Sequence, residues 1–424
     1  MSPIPVILIF DIGKTNKKLF LFNEGYQVVH EIAAQFAETL DEDGFACEDI
    51  YALSQWITSS IITIKQNKAF DIKLIHYSAY GASFVFIDEE LKPLAPFYNY
   101  LKPFKASTQE QFELSYGSME QMSLATASPF LGNLNSGLQL YRMKVEHPEK
   151  FNKIKWALHL PQYVHFLITG NLASDITSIG CHTMLWNFEK NNYHDWVIQE
   201  GVDKILAPIK AEVGLHDSSS ALIPYLSSFA EPFVLISTGT WCISLNPFND
   251  SILTTNELNQ DTLCFLSYTK KHVKASRLFS GKEHEQGVLA LNKYFNKTTN
   301  YYTQVKYNAN IPLNGNFNSD DLSGYIDFET AYHHLVALLV KKQIISTNII
   351  IANTKVNRIF VDGGFSNNEI FMNLLAKAYS QYEVFAAAIP QASALGAALA
   401  VHHEWNTKPI PNNLISLQYY STKN

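Results

Sequence analysis

Gly214-Leu215-His216-Asp217-Ser218-Ser219-Ser220, and the apolar run Phe233 to Ile236 that leads into Ser237-Thr238-Gly239-Thr240, decide how this chain is read. The first piece sets a carboxylate on a short loop beside small hydroxyl residues. The second is a strand running into a tight Gly-Thr turn. One has the make-up of a proton acceptor, the other of a phosphate cradle. Each alone is equally a polar surface turn or an ordinary buried strand, and their weight comes from the motifs at the two ends of the chain.

Working outward, 424 residues are too many for one ordinary core and point to two or three domains. With 47% hydrophobic and 17% charged residues the composition is globular rather than disordered. A net charge of -7 without a Lys/Arg-rich run gives no electrostatic footprint for nucleic acid or an anionic membrane, so a small-molecule partner is expected. Cys47, Cys181, Cys242 and Cys264 are scattered without a C-x-x-C pair or zinc-like spacing, which favours reduced thiols and a cytosolic setting. The apolar run Ile4 to Phe10 is short, lacks a basic leader and stops at Asp11, and no other run is read as transmembrane; a cytoplasmic protein is expected.

Val6 to Phe10, Leu19 to Phe22 and Val28 to Ile32 predict three antiparallel strands. Ile50, Leu53, Ile57, Ile61 and Ile64 then lie on one helical face, and Ile72 to Tyr77 and Ser83 to Asp88 read as strands. Pro93 to about Gly132 has a weak pattern and is expected to be an insertion or cap bearing on the substrate. Leu138 to Glu146 and Ile154 to Leu167 predict helices, the second interrupted by Pro161, and His182 to Phe188 is amphipathic.

The second half repeats this outline. Phe233 to Thr240, Cys242 to Pro247 and Leu263 to Tyr268 predict strands, Phe328 to Leu339 a long helix, and Arg358 to Asp362 a strand opening onto Gly363-Gly364. Ser366 and Glu369 are spaced as a capping box for the next helix. Glu383 to Ala388 and the small-residue helix Ser393 to Val401 close the repeat. Two such modules, divided near residue 230 into 1–230 and 231–424, would face each other across a ligand-sized cleft.

Asp11-x-Gly13-x-Thr15 sits between two strands, where a positive φ at Gly13 would let backbone N–H groups and the Thr15 hydroxyl approach a phosphate. Asp11 could then hold Mg²⁺, directly or through water; a plain β-turn is the other reading. Gly13-Lys14-Thr15 is not a Walker A loop, because Leu8 stands where that motif needs its first glycine. Thr238-Gly239-Thr240 has the same design at the matching place in the second module. In Asp362-Gly363-Gly364-Phe365-Ser366-Asn367 residues without side chains allow a flat ring against the backbone. Ala392-Ser393-Ala394-Leu395-Gly396-Ala397-Ala398 offers either a second flat surface or close helix packing.

Asp217 is the candidate general base toward a substrate hydroxyl. His216 either hydrogen-bonds substrate or supports the loop, and Asp175 either binds a polyol or caps a turn. Gly81 and Ala82 join them as substrate-side candidates. His333-His334, His402-His403 and Glu283-His284-Glu285 lack a metal-ligand context.

Taken in order, D-x-G-x-T, the central S-D-x-T-S with T-M-L-W behind it, G-x-H-D, S-T-G-T-W, G-G-F-S-N and S-A-L-G-A-A resemble the FGGY family of carbohydrate kinases, within the actin/hexokinase-like ATPase superfamily. The resemblance spans essentially the whole chain. It implies an α/β fold of two ribonuclease H-like (actin-like ATPase) domains facing across a cleft, and ATP- and Mg²⁺-dependent phosphorylation of a sugar hydroxyl. Asp217 matches the family's catalytic Asp and Asp11 its metal-associated one. Gly13, Thr15, Lys18, Thr238, Gly239 and Thr240 match the phosphate side, and Gly363, Gly364 and Asn367 the adenosine motif. The H-D pair and G-T-W look closer to the rhamnulose and fuculose kinase branches, which makes a ketose such as rhamnulose, fuculose or xylulose the expected substrate. A homodimer is compatible with this reading.

The departures concern the sugar. Tyr98-Asn99-Tyr100-Leu101-Lys102-Pro103 lacks the Asp and Arg of the family's W-x-D-x-R-like segment, and Gln139-Leu140-Tyr141-Arg142 lacks the usual Lys and Trp. Lys18 stands where an Arg is common. An inactive sugar-binding sensor of the same fold is the competing reading; an actin-like assembly ATPase would have no use for the G-x-H-D loop.

Overall fold

Strand β1 (Ile4–Ile12), buried without interruption from Val6 to Phe10, is the centre of the first sheet because an apolar run of this kind needs cover on both faces. It pairs antiparallel with β2 (Lys17–Asn23), which pairs with β3 (Val28–Ala34). On its other side β4 (Phe70–Ala79) runs parallel to it, and β5 (Leu215–His216) runs parallel to β4. The order is β5-β4-β1-β2-β3. The computed structural model describes residues 2–94, 96–211, 213–313 and 317–421.

The second sheet is built from β6 (Phe233–Thr238), β7 (Cys242–Asn246), β8 (Thr262–Leu266), β9 (His272–Leu278), β10 (Arg358–Gly363), β11 (Glu383–Ala388) and β12 (Ser416–Tyr420). Its order is β8-β9-β7-β6-β10-β11-β12. The inner five, β11-β10-β6-β7-β9, reproduce the order and directions of the first sheet, with three antiparallel strands and two parallel ones beyond the first. The outline repeat in the sequence is therefore a repeat of topology, and β9 and β12 are strands that apolar runs did not signal.

Helix α1 (Ile50–Gln66) links β3 to β4. Asp49 caps it by accepting from the N–H groups of Tyr51 and Ala52, and Ile50, Leu53, Ile57 and Ile64 bury its apolar face. Residues 154 to 167, expected as one helix, instead divide into a strand, Trp156–His159, and α2 (Leu160–Thr169). Pro161 lies in the first turn of α2, where its missing N–H removes no helical bond. The strand pairs with Phe84–Ile87, which pairs in turn with Pro93–Leu94. This small sheet carries a core of its own around Phe84, Phe112, Tyr141 and Trp196.

The remaining helices that matter to the site are α3 (Asp217–Ser228), α4 (Ser280–Tyr294), α5 (Phe328–Ile351), α6 (Glu369–Ala378) and α7 (Ala392–Ala400). By length and composition α5 could cross a membrane, which corrects the reading that no run reaches that length. Phe328, Tyr332, Leu335, Val336 and Leu339 are buried in the second core, so α5 is a core helix here. The capping box expected at Ser366 does not form. The cap of α6 is Asn368, whose Oδ1 accepts from Phe371 N at 3.0 Å, while Ser366 Oγ donates to the Gly363 carbonyl at 2.7 Å.

Candidate active site

β5 ends on His216 and α3 begins on Asp217, so the carboxylate is presented where a parallel strand hands over to a helix N-terminus. The register is tight: Leu215 pairs with Ser78 and His216 with Ala79, and a Cβ on Gly214 would stand 2.1 Å from Tyr77 Cδ2. The His216 ring is buried with Nδ1 3.1 Å from Asp217 Oδ1, while 37% of the Asp217 side chain stays exposed. Burial opposes ionisation of Asp217, but the His216 charge and the hydrogen bonds from His216 and Ser218 outweigh it and hold the pKa below the usual value. An ionised, accessible carboxylate at this place can accept a proton or a hydroxyl hydrogen bond.

Asp175 does not reach this opening. It is buried and caps the turn Ile176–Ile179, accepting from Ser178 N at 2.6 Å, Thr177 Oγ1 at 2.5 Å and Gln162 Nε2 at 3.2 Å. Of its two alternatives, turn capping is the one realised, and the polyol contact is withdrawn because the carboxylate's oxygens are consumed inside the protein. Thr177 Oγ1 in turn accepts from His216 N at 2.9 Å, so Asp175 supports the His216-Asp217 loop through one intermediary.

Gly81 and Ala82 lie against this loop. A Cβ on Gly81 would meet His216 Cδ2 at 2.4 Å, so only glycine lets the ring sit there. Ala82 holds a left-handed φ of 67°, and its carbonyl accepts from Gln139 Nε2 at 2.6 Å. Gln139 thus anchors the Gly81-Ala82 turn from the segment that lacks the family's Lys and Trp. Its Oε1 is buried without a hydrogen-bond partner among the described residues. The altered segment 98–103 packs on its neighbours: Tyr98 OH donates to Glu42 at 2.6 Å, and Lys102 Nζ bonds Asp41 at 2.5 Å and Asp43 at 2.6 Å.

Asp11, near the end of β1, accepts from Ser78 Oγ at 2.6 Å and from Ser393 Oγ at 2.8 Å. Burial, and after it the Asp217 charge, raises its pKa against the pull of those two bonds and of Lys18. A carboxylate whose charge is disfavoured by burial and by a neighbouring Asp217 is a fitting place for a divalent cation, and it has about four acceptor positions, of which the two serines take two. The residues present thus fit Mg²⁺ held by Asp11. Lys18 is opposite Asp11 across the ladder but is ion-paired with Glu31 at 2.9 Å. The first hairpin is closed by Gly13 N donating to Asn16 O at 2.9 Å, with Thr15 exposed. The positive φ expected at Gly13 is found instead at Gly363, since the Gly13 turn closes without it.

On the second sheet Gly239 N donates to Trp241 O at 2.9 Å, leaving Gly239 and Thr240 exposed. Thr238 Oγ1 donates to Asp362 O at 2.5 Å and accepts from Phe365 N at 2.9 Å, which ties this hairpin to the Gly363-Gly364 turn. Gly363 has φ +84°, and a Cβ there would be 2.0 Å from Thr238 O. A cavity of about 550 Å³ opens beside them, lined among others by Thr238, Gly239, Gly281, His284, Gly364 and Asn367. That volume suits a ligand the size of a nucleotide base and sugar. Burial pushes His284 down to about 4, so it meets the cavity as a neutral ring, its Nε2 2.9 Å from Tyr332 OH.

α7 turns out to be a packing surface. A Cβ on Gly396 would lie 1.8 Å from Ser220 O, and Ser220 Oγ donates to Ser393 O at 2.7 Å, so α7 presses directly on α3. Sequence reasoning missed Ser78, Ser393, Gly281 and His284. Single hydroxyls and a lone glycine carry no spacing signal, although Gly281 follows a strand as the other site glycines do. It also found no zinc-like spacing among the cysteines, whereas the fold brings Cys181 together with His182 and His216, residues outside the histidine clusters set aside above.

The N-terminal domain model of the FGGY family of carbohydrate kinases matches residues 6–204, and the carbohydrate kinase FGGY C-terminal domain model matches residues 230–409. A rhamnulokinase of Halalkalibacterium halodurans is 26% identical over 256 residues, 55% of this chain and 52% of that protein, so the chain spans about half the length of the curated relative it matches. A carbohydrate kinase from Novosphingobium aromaticivorans superposes with a TM-score of 0.78 at 18% identity, covering 99% of this chain and 95% of that one. A xylulose kinase from Rhodospirillum rubrum gives 0.81 at 13% identity, covering 98% and 94%. At these identities the two structures speak for the fold.

Proposed function

Because the chain belongs to the FGGY family of carbohydrate kinases, we propose that it transfers the γ-phosphoryl group of ATP to a hydroxyl of a small sugar, with a ketose such as rhamnulose, fuculose or xylulose as the acceptor. The observation that carries this reading is Asp217: an ionised, accessible carboxylate at a strand-to-helix junction, electrostatically coupled to Asp11.

In this reading Gly81, Ala82 and His216 bind the sugar and orient one hydroxyl toward Asp217. Asp217 accepts that hydroxyl's proton as its oxygen attacks phosphorus. Such transfers pass through a loose transition state in which positioning and charge stabilisation do most of the work, so a carboxylate of low pKa suffices as the acceptor. The Gly13–Thr15 and Thr238–Thr240 hairpins offer N–H and hydroxyl donors to phosphate oxygens. The Gly363-Gly364 turn and Asn367 take the adenosine end in the 550 Å³ cavity. Mg²⁺ bound at Asp11 would supply charge neutralisation at the phosphates. A cytoplasmic location accords with four free, buried cysteines.

The test is a coupled ADP-release assay across ketoses, aldoses and polyols. One ketose should stimulate ADP release strongly over the no-sugar control. Measurable sugar binding with no stimulated release by any acceptor would replace the kinase with a sensor.

A further inference from the structure

β5 delivers His216 next to a second imidazole and a thiol that the phosphoryl-transfer reading leaves unused. Cys181 Sγ and one ring nitrogen each of His182 and His216 all lie within 4.8 Å of one another, with Cys181 and His216 buried and His182 half-buried. We propose that these three side chains form a zinc-class cation site whose fourth position is left to water.

The donor set selects the ion. One thiolate and two imidazoles are a borderline-soft combination suited to Zn²⁺ and poorly matched to Mg²⁺ or Ca²⁺, which prefer oxygen. Zinc bonds of roughly 2.0–2.3 Å put tetrahedral ligand pairs about 3.5 Å apart, so the three side chains need to draw inward by no more than about 1 Å.

The His182 ring is already turned for it, and the His216 ring needs only a change of tautomer. His182 Nδ1 is 3.2 Å from the Leu134 carbonyl, and donating its proton there leaves Nε2 with a free lone pair. His216 Nδ1 accepts from Ser218 N at 3.2 Å and lies 3.1 Å from Asp217 Oδ1, which Ser218 N also reaches at 2.6 Å; a cation on Nε2 would turn Nδ1 into a donor to Asp217 and leave the Ser218 N–H to that carboxylate alone. A carbonyl behind one histidine and a carboxylate behind the other is the usual support for zinc-bound imidazoles. A Cβ at Gly81 would stand 2.7 Å from His216 Nε2, so glycine keeps that nitrogen uncrowded.

The loop carrying His182 is also held in place. His182 and Met184 both occupy the left-handed region, at φ 42° and 60°. Thr183 fixes the turn between them, its Oγ1 donating to Ile179 O at 2.6 Å and its carbonyl accepting from Gly137 N at 2.8 Å. A non-glycine backbone kept in this region is strain that the surroundings must hold, and here it aims a histidine at a thiol.

The site also bears on activity, a consequence that rests on the kinase reading. With a cation on His216 Nε2, the Nδ1 proton is committed to Asp217 and the carboxylate is less free to receive the sugar hydroxyl. Zinc at this place should therefore inhibit phosphoryl transfer reversibly.

The experiment titrates Co²⁺ into the full-length protein, with Zn²⁺ as competitor. The expected result is one equivalent of Co²⁺ showing thiolate-to-metal charge-transfer absorption that Zn²⁺ bleaches. The band should be lost in Cys181→Ser, and His182→Gln should weaken Co²⁺ binding at least tenfold. Absence of the band at saturating Co²⁺, or a band unchanged in Cys181→Ser, overturns the site. Thermal unfolding checks that Cys181→Ser is folded; if it is not, His182→Gln decides by the same reading. Zn²⁺ should also inhibit wild-type turnover at fixed Mg²⁺ and ATP at concentrations at least tenfold below those needed for Cys181→Ser. Cobalt binding without zinc inhibition overturns the coupling to Asp217 alone, and a bound cation in a protein that turns over no sugar overturns the kinase reading alone.

Discussion

Asp11 Oδ2 accepts a hydrogen bond from Ser393 Oγ at 2.8 Å, so a strand near the start of the chain and a helix near its end meet on one carboxylate. The same helix presses on α3 through Gly396, and its Ser393 carbonyl accepts from Ser220 Oγ. Asp11 and Asp217 are thus located relative to each other through α7 as well as through β4, whose Ser78 pairs with both Asp11 and Leu215. If Asp11 holds the cation that accompanies ATP, Asp11→Asn should raise the Mg²⁺ concentration for half-maximal turnover about tenfold or more and leave sugar affinity, read by calorimetry, within about twofold. An unchanged Mg²⁺ dependence would remove Asp11 from that role.

Asp217→Asn keeps the shape of the loop and removes the proton acceptor. The expected loss in kcat is on the order of 10²-fold or more, with ATP binding retained. Steady-state kinetics with the best acceptor sugar check this. Normal turnover by the variant would mean that the hydroxyl proton leaves by another route.

The duplicated topology was legible because buried strands such as Val6 to Phe10 and Phe233 to Ile236 are continuous apolar runs, and the turns after them carry glycine and hydroxyl residues at matching places. The turns that carry Asp217, Gly239, Gly363 and Asn367 could be located in the fold from that order. What stayed hidden depends on contacts between distant segments. Ser393 matters because a helix crossing brings it to Asp11, and Gly281 because a Cβ there would be 1.8 Å from Gly239 O. The residues 154–159 were misread because a short apolar run followed by Pro161 fits a broken helix as well as a strand leading into a helix. Asp175 sat in a motif that allowed two roles, and only its burial decided between them.

Gly363 and Gly396 test backbone contact rather than chemistry. Gly363→Ala places a Cβ 2.0 Å from Thr238 O at φ +84°, a strain of roughly 1–3 kcal/mol before any displacement of the Thr238–Thr240 hairpin. A weakened affinity for ATP, read by nucleotide titration, should accompany a lowered unfolding midpoint. Gly396→Ala places its Cβ 1.8 Å from Ser220 O and should push α3 away, lowering kcat more than it changes ATP affinity. If Gly396→Ala altered only ATP affinity, α7 would be a nucleotide surface after all.

His76 gives the fold a pH dependence independent of catalysis. It lies on β4 opposite Ile9 of β1, buried, and burial followed by repulsion from His165 lowers its pKa from 6.5 to about 4. Between those values the unfolded chain takes up a proton that the folded chain refuses. The stability held above pH 6.5 therefore drains as pH falls and levels off below about 4, a total on the order of 3 kcal/mol for this residue. His159, buried and lowered to about 3, acts in the same direction, so removing His76 should lessen the slope without abolishing it. Urea unfolding of the wild type and of His76→Gln at a series of pH values from 7.5 to 4.5 reads the difference. The two stability curves should converge as the pH falls; parallel curves would mean that His76 takes up its proton at the same pH folded as unfolded and that another group sets the acid limit.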